Sequence, residues 1–400
     1  MLEVGAAAAA DEDSANLSTE GAKSEAPAKV LITGGHEVGG LTSFAEALSE
    51  GFQQLGIPTE IIPPGRIWSR WRELRDPRVL KILSTTAVFA APFSRRALCV
   101  SHGCPCADVQ GWSKVFGFLL SYKIANLAPH TPLISVSEYS AIHLVHIFNI
   151  RFDTVIRNPV QSLFLQPFTP ADEARRYITY VGRLHPSKNV HRLLPAIRTV
   201  LDEHPGLRAC IIGDGVSREP LENLYGSDDR IEFTGDLSSS QVRERLRLTR
   251  VFLSGNQTEP FGITFLEALS QGCVVAMPAS GGGLEIAPDL IGMQIHLLPI
   301  SLEHSGVVHT LRRALDATGS PVDLTPYAVT AVASAYLKAD ADRFNPAARW
   351  ISRKIQEAGA MENSPAVLLK ENSRPAKNVA DPVHALTYPR STVQNGTNQR

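Results

Sequence analysis

Two glutamates separated by eight positions, Glu259 and Glu267, lie in the segment SGNQTEPFGITFLEALSQG, residues 254–272. Pro260, of a type favoured in a first helical turn, follows the first of them, and eight positions span about two turns of helix. One carboxylate would then stand at a helix mouth and the other further along it. A carboxylate accepts hydrogen bonds from two sugar hydroxyls at once, so the pair suits a sugar at one end and a ribose at the other. The same spacing also fits a cap-region acid followed by a solvated helix residue.

The apolar run ITYV is followed by GRLHPSK, which places Gly182, Arg183 and Lys188 on a loop before a helical pattern. A diphosphate would find two cations and a helix N-terminus there. An ordinary basic surface loop has the same composition. After the run ACII, the sequence GDG (Gly213 to Gly215) lets the backbone turn sharply and approach a ligand. His102, Cys104 and Cys106 are residue types that bind zinc. No fourth ligand or paired spacing accompanies them, so they read as a reduced loop and no metal site is expected. Two glutamates do not by themselves imply hydrolysis by paired carboxylates, and here their roles read as binding.

Such residues need elements that bring them to one edge. The run Val30 to Ile32, the glycine-punctuated TGGHEVGG and the apolar positions Leu41, Phe44, Ala45, Leu48, Phe52 and Leu55 predict a strand, a loop and a helix. Further strands are predicted at 59–62, 97–101, 133–137 and 154–156, with helices near 110–127 and 139–147. The stretch 158–172 contains three prolines and reads as a linker. Beyond it, strands at 178–181, 208–212, 231–234, 251–253, 274–277 and 294–298 alternate with helical patterns near 189–204, 217–225, 239–248 and 262–271. Alternating strands and helices predict an α/β fold with two Rossmann-like, doubly wound domains facing across a cleft. Ligand-binding residues should follow the carboxyl ends of the strands.

Composition narrows the function further. Lys and Arg total 39 against 40 for Asp and Glu, a formal net charge of -1, so nothing points to a nucleic-acid partner. A hydrophobic content of 44% over 400 residues suffices for two cores. The cysteines, Cys99, Cys104, Cys106, Cys210 and Cys273, are few and odd in number, which suits a reducing compartment. The N-terminal alanine run has no basic lead and is followed by acids, so it does not read as a signal peptide. No apolar stretch reaches the roughly 18 residues of a membrane span. The expected location is cytoplasmic, at most peripheral at the inner face of a membrane.

In order and spacing, GRLHPSKN, IIGDGVSREPLENL, IEFTGDLSSSQVRERL and EPFGITFLEALSQGCVVAMPASGG resemble the second domain of the retaining GT-B glycosyltransferases called group 1, or family 4. The resemblance spans residues of about 28 to 358, is strongest from 178 to 287, and is looser in the first half. It implies that Arg183 and Lys188 hold the diphosphate of a nucleotide-sugar, that Glu259 contacts the donor sugar and that Glu267 binds the ribose hydroxyls. Backbone near Phe261, Gly262 and Ile263 would meet phosphate or sugar. Gly39 and Gly40 would close over the diphosphate from the first domain, and His102 would sit near the transferred sugar. It also implies retention at the sugar carbon and no metal or other cofactor. Two features depart from the family's pattern: Ser254, Gly255 and Asn256 stand where Pro-Ser is common, and an extra glycine precedes Glu285.

The boundaries that follow are a disordered tail at 1–27, an acceptor domain at 28–165, a nucleotide-sugar domain at 166–338, a helix at 339–360 crossing back to the first domain, and a disordered tail at 361–400. The two domains should close on the donor. The acceptor is a glycan, a lipid-linked molecule or a small molecule. A nucleotide-sugar-binding protein of the same fold without transfer activity is the alternative, against which the intact Arg183, Lys188, Glu259 and Glu267 argue. A nicotinamide oxidoreductase would rest on glycine loops alone and lacks GxGxxG after the first strand.

One segment stands outside this scheme. In residues 65–83, Arg66, Arg70, Arg72, Arg75, Arg78 and Lys81 face only Glu73 and Asp76. If helical before Pro77, the segment aligns Ile67, Trp71 and Leu74 on one stripe, with Trp68 at its border. Aromatic anchors beside cations suit an anionic membrane surface. Tryptophans packed inward among solvated arginines, or arginines binding an anionic acceptor, fit the same letters.

Overall fold

A computed structural model of the chain describes residues 26–34, 40–103, 112–128, 130–166 and 175–344. Its first sheet contains β1 (Lys29–Thr33), β2 (Thr59–Ile62), β3 (Val79–Ser84), β4 (Ala97–Ser101), β5 (Leu133–Ser135) and β6 (Thr154–Val155) in the order β2-β1-β3-β4-β5-β6. Every pairing in it is parallel. The helices α1 (Gly40–Gln54), α2 (Trp71–Arg75), α3 (Trp112–Leu127) and α4 (Glu138–Phe148) lie between the strands in sequence. Parallel strands covered on both faces are apolar throughout. Accordingly all six residues of β3 and all five of β4 are buried.

The second sheet is built from β7 (Tyr177–Val181), β8 (Arg208–Ile212), β9 (Ile231–Gly235), β10 (Thr249–Leu253), β11 (Val274–Pro278) and β12 (Ile295–Leu298), again all parallel. Its order, β12-β11-β10-β7-β8-β9, reverses direction between β7 and β10. That reversal is the crevice at which open α/β sheets bind ligands. Helices α5 (Val190–Glu203), α6 (Arg218–Tyr225), α7 (Ser239–Arg247), α8 (Ile263–Ser270) and α9 (His304–Asp316) accompany this sheet. α5 shows why they form: Val190, Leu193, Leu194, Ile197, Val200 and Leu201 recur at three and four and are buried together. The two-domain Rossmann-like architecture expected from the alternation is the one observed.

A last helix, α10 (Val329–Ala341), packs against α1 of the first sheet's layer, with Tyr336 near Phe44. Arg96, at the start of β4, donates to the Asp340 carboxylate at 2.5 Å with both groups buried. Chain leaves the first sheet at Val160 and returns at Ala328, and these two passages form a parallel bridge in which Val160 N–H donates to the Tyr327 carbonyl at 2.9 Å. Residues 158–166, read as part of a linker, are packed: Val160 and Phe164 are buried. The helical pattern near 346–358 and both tails lie outside the described residues, apart from Ala26 and Pro27.

The basic segment departs from expectation. Residues 64–70 form a 3-10 helix that gives way to α2 at Trp71, and the change of helical pitch separates the residues of the expected stripe. Ile67 and Leu74 turn into the core while Trp68 and Trp71 stay exposed. Lys81 is not a surface charge at all. It is fully buried in β3, where its ammonium donates to the carbonyls of Val79, Asp76 and Glu73, and burial pushes its pKa down to about 7. Arg70 spans Glu60 and Glu73.

Candidate functional site

The loops after β7, β8 and β10 meet at the reversal in the second sheet. Leu184 N–H donates to the Asp214 carbonyl at 2.7 Å and Gly182 N–H to the Ile212 carbonyl at 3.0 Å, so the first two loops run backbone to backbone. That closeness dictates glycine. A Cβ on Gly213 would lie 2.1 Å from the Gly182 carbonyl oxygen, and one on Gly215 would lie 2.4 Å from that of Leu184. Both glycines also have positive φ, +125° and +146°, which side chains rarely adopt.

Lys188 ends a short 3-10 turn, Pro186–Lys188, whose entry is capped by the His185 side chain accepting from Ser187 N–H. Asn189 then takes a left-handed conformation, φ +57°, and its side-chain amide donates to the Gly255 carbonyl at 2.9 Å. This contact ties the loop after β7 to the loop after β10. It brings the Lys188 ammonium 3.7 Å from the Glu259 carboxylate, which also accepts from the Asn256 amide at 2.5 Å. A part-exposed ion pair of this kind contributes no more than about 1 kcal/mol to stability. Its use therefore lies in holding a cation and a carboxylate at fixed positions.

Glu259 is not on a helix. The chain turns at residues 257–258 and bends at 260–261, and α8 begins at Ile263, with Gly262 at φ +96° preceding it. Glu267, on the second turn of α8, is only 8% exposed rather than solvated, and burial pushes its pKa up to about 7. The Phe261 side chain is buried beside Tyr327, ring centroids 6.0 Å apart, which leaves its backbone for any ligand contact.

The first sheet supplies the opposite wall. Ser137 and Ser140, at the start of α4, both donate to the Pro260 carbonyl, at 2.5 and 3.3 Å. Gly103 lies against the same proline, since a Cβ there would come within 2.5 Å of its ring. His102 precedes Gly103 and meets Phe44 edge-on, centroids 4.4 Å apart. Its Nε2 is buried with no protein partner, and desolvation pushes its pKa down to about 4, so the ring is neutral at pH 7. Glu285 reaches across as well: its carboxylate accepts from the N–H groups of Glu138 and Tyr139, at 2.9 and 2.5 Å, at the positive end of α4.

Arg183, Lys188, Glu259, Gly182, Gly213, Gly215, Phe261, Gly262, Ile263 and Glu267 thus lie on the loops and helix start after β7, β8 and β10. His102 is brought near them through Gly103 and Pro260. Gly40 opens α1, whereas Gly39, Cys104 and Cys106 lie outside the described residues. No cluster of three or more possible metal ligands occurs among the described residues. Sequence reading missed Asn256, Asn189, Ser137 and Ser140. For Asn256 the signal was the unusual SGN itself, which supplies a donor to Glu259.

The fold is that of the GT-B glycosyltransferases, and residues 164–294 match the sequence family described as "Glycosyl transferases group 1". The matched segment is about a third of this chain. A subunit of phosphatidylinositol N-acetylglucosaminyltransferase from Schizosaccharomyces pombe is 30% identical over 147 residues, 36% of this chain and 32% of that protein. The sulfoquinovosyl transferase of Arabidopsis thaliana is 31% identical over 112 residues, 28% of this chain and 21% of that one. The matched stretch is thus about a third of these relatives' length or less. Anabaena HepE in complex with UDP and glucose superimposes with a TM-score of 0.55 at 15% identity, covering 84% of this chain and 100% of that structure, a likeness of fold.

Proposed function

We propose that the protein transfers a hexose from a nucleotide diphosphate-sugar to an acceptor hydroxyl, with retention and without a metal, in the cytoplasm. The observation that carries this is the convergence of Lys188, Glu259 and the paired glycine turns at the reversal of the second sheet. Arg183 and Lys188 hold the diphosphate, Glu267 the ribose and Glu259 the sugar. Backbone of Phe261, Gly262 and Ile263 meets phosphate or sugar, Gly39 and Gly40 close from the first domain, and His102 lies beside the transferred sugar. The nucleotide reading is supported by HepE, whose structure holds UDP and glucose.

In the reaction the bond from the sugar C1 to the β-phosphate oxygen breaks and its electrons leave with the diphosphate. The Arg183 and Lys188 cations and backbone N–H groups stabilise that growing charge, the largest contribution expected in such a site. The acceptor oxygen bonds C1 on the face the phosphate leaves, and its proton passes to a phosphate oxygen. Residues 28–165 would hold the acceptor and 166–338 the donor. The buried free thiols Cys99, Cys210 and Cys273 suit a reducing compartment, and no described helix is long and apolar enough to cross a membrane.

The test is a panel of UDP-, GDP- and ADP-sugars given to the purified full chain with and without EDTA. Nucleoside diphosphate release is measured together with the anomeric configuration of the product by NMR. One donor should be consumed equally with EDTA, with configuration retained. Failure to bind any nucleotide-sugar overturns the proposal, and tight binding without turnover against a broad acceptor panel favours a binding protein of this fold.

A further inference from the structure

Away from the cleft, the first domain carries a surface that the transfer chemistry does not use. Trp68, Trp71 and Phe93 are 45, 42 and 47% exposed, yet they touch one another: the Trp68 and Phe93 rings are 5.7 Å apart and those of Trp71 and Phe93 are 6.2 Å apart. Pro92, next in the chain to Phe93, lines a shallow groove whose other side is Ile124, Leu127 and Ala128 at the end of α3. Leu127 is 82% exposed, and Phe116 and Leu120 are exposed at helical spacing along the same face of α3. Three separate stretches of chain therefore present one apolar surface.

The stretch that carries it is rich in basic residues: residues 65–152 hold eleven Lys and Arg against four Asp and Glu, in a chain whose formal charge is -1, although Lys81 and Arg96 among them are buried. Two of those acids are already engaged, Glu73 by Lys29 and Arg70, and Asp76 by Arg78. Arg66, Arg72, Arg75 and Arg95 are exposed beside the aromatic group, and the Arg75 guanidinium sits 4.8 Å from the Trp71 ring centroid.

We propose that this face docks the protein on an anionic lipid bilayer. Indole rings, with an apolar body and a polar N–H, partition to the headgroup boundary, the neighbouring phenyl adds apolar area, and flanking arginines add attraction to anionic lipid. The aromatic rings meet one another edge-on and tilted at the surface instead of lining a slot for a partner's side chain, which favours a lipid surface over an acidic protein. The docking face spans the 3-10 segments 64–70 and 85–93 together with α3, and Lys81 and Leu74 take no part in it.

The experiment is co-sedimentation of the full chain with phosphatidylcholine vesicles, with and without phosphatidylglycerol, at low and high salt. Binding should require the anionic lipid, weaken with salt, and fall roughly tenfold or more in both Trp68→Ser plus Trp71→Ser and Arg72→Glu plus Arg95→Glu. Arg72 and Arg95 are exposed, so the charge-reversal variant should melt with the parent and keep a loss of binding distinct from a loss of folding, whereas the tryptophans are more than half buried against Phe93 and their variant should melt lower. Binding that ignores lipid charge, negligible binding to either vesicle, or anionic binding untouched by both variants overturns the proposal. So does a lipid-free dimer that the tryptophan variant dissociates, since the face would then be an interface between copies. Donor turnover without lipid should be unchanged in both variants, which separates this result from the fate of the transferase reading.

Discussion

The two walls of the cleft are built on similar sheets but differ in kind. The second sheet's strand ends carry a cation, carboxylates and glycine turns clasped backbone to backbone, all on loops after β7, β8 and β10. The first sheet's strand ends carry neutral groups: a deprotonated His102 and the hydroxyls of Ser137 and Ser140, which reach over to Pro260. Charge is concentrated where a leaving diphosphate would need it, and the facing wall contributes shape and uncharged hydrogen bonds. The comparison teaches that one wall should govern the rate of bond breaking and the other the fit of what is transferred.

The sharpest way to break the comparison is to remove charge from the second wall. Lys188→Ala or Arg183→Ala should lower turnover by about 10²- to 10³-fold while thermal melting stays near the parent's, as expected when one preorganised charge-stabilising group is lost. Steady-state rates close to the parent's in both variants would take these residues out of the diphosphate site. The two carboxylates should then separate. Glu267→Ala should weaken free nucleoside diphosphate by about 10- to 100-fold, the scale of hydrogen bonds to a charged group, whereas Glu259→Ala should mainly slow transfer. Unchanged nucleotide affinity for Glu267→Ala in calorimetry contradicts the ribose role.

On the neutral wall the effect should be smaller. His102→Phe keeps an aromatic ring beside Phe44 and removes an uncharged hydrogen-bonding nitrogen, so kcat/KM should fall by about tenfold or less. A loss as large as that from Lys188→Ala would mean that the first wall also manages charge.

The smallest effect is on the pH dependence of stability. Folded Glu267 keeps its proton up to about pH 7, while the ordinary carboxyl loses it near 4.5, so its contribution is full below 4.5 and lost as pH rises through 7. Folded His102 resists protonation down to about pH 4 against an ordinary 6.5, so its contribution is present above 6.5 and lost as pH falls through 4. The slopes oppose one another between about pH 4.5 and 6.5. Denaturant unfolding of Glu267→Gln should therefore show stability rising with pH across that window. A flat profile would remove one of the two groups from the account.

Legibility followed the same division. In the second half strands were read at 208–212 and 274–277 against an observed Arg208–Ile212 and Val274–Pro278, because each is a short apolar run bounded by glycine or a polar turn. β3 was missed altogether. Its sequence VLKILS places a lysine in mid-strand, and next to five arginines that lysine read as one more surface charge, whereas its ammonium is satisfied by three carbonyls inside the fold. Glu267 was read with a solvated alternative because spacing carries no information about depth. α9 and α10 went unread, the latter because VTAVASAYLKADA has small residues where a helix normally shows large apolar ones. Ser137 and Ser140 were out of reach for a different reason: their partner, Pro260, is more than a hundred positions away in the chain.

The paired passages at Val160 and Ala328 have a mechanical consequence. Two connections lying side by side and joined by a main-chain hydrogen bond behave as a pin: they resist sliding and twisting of one sheet past the other and leave rotation about a single line as the soft motion. Points far from that line then travel furthest for the least torsion at the pin. Closure of the cleft would be a swing of small angle, driven by whatever bridges the two walls and absorbed by a few backbone dihedrals on either side of the crossing.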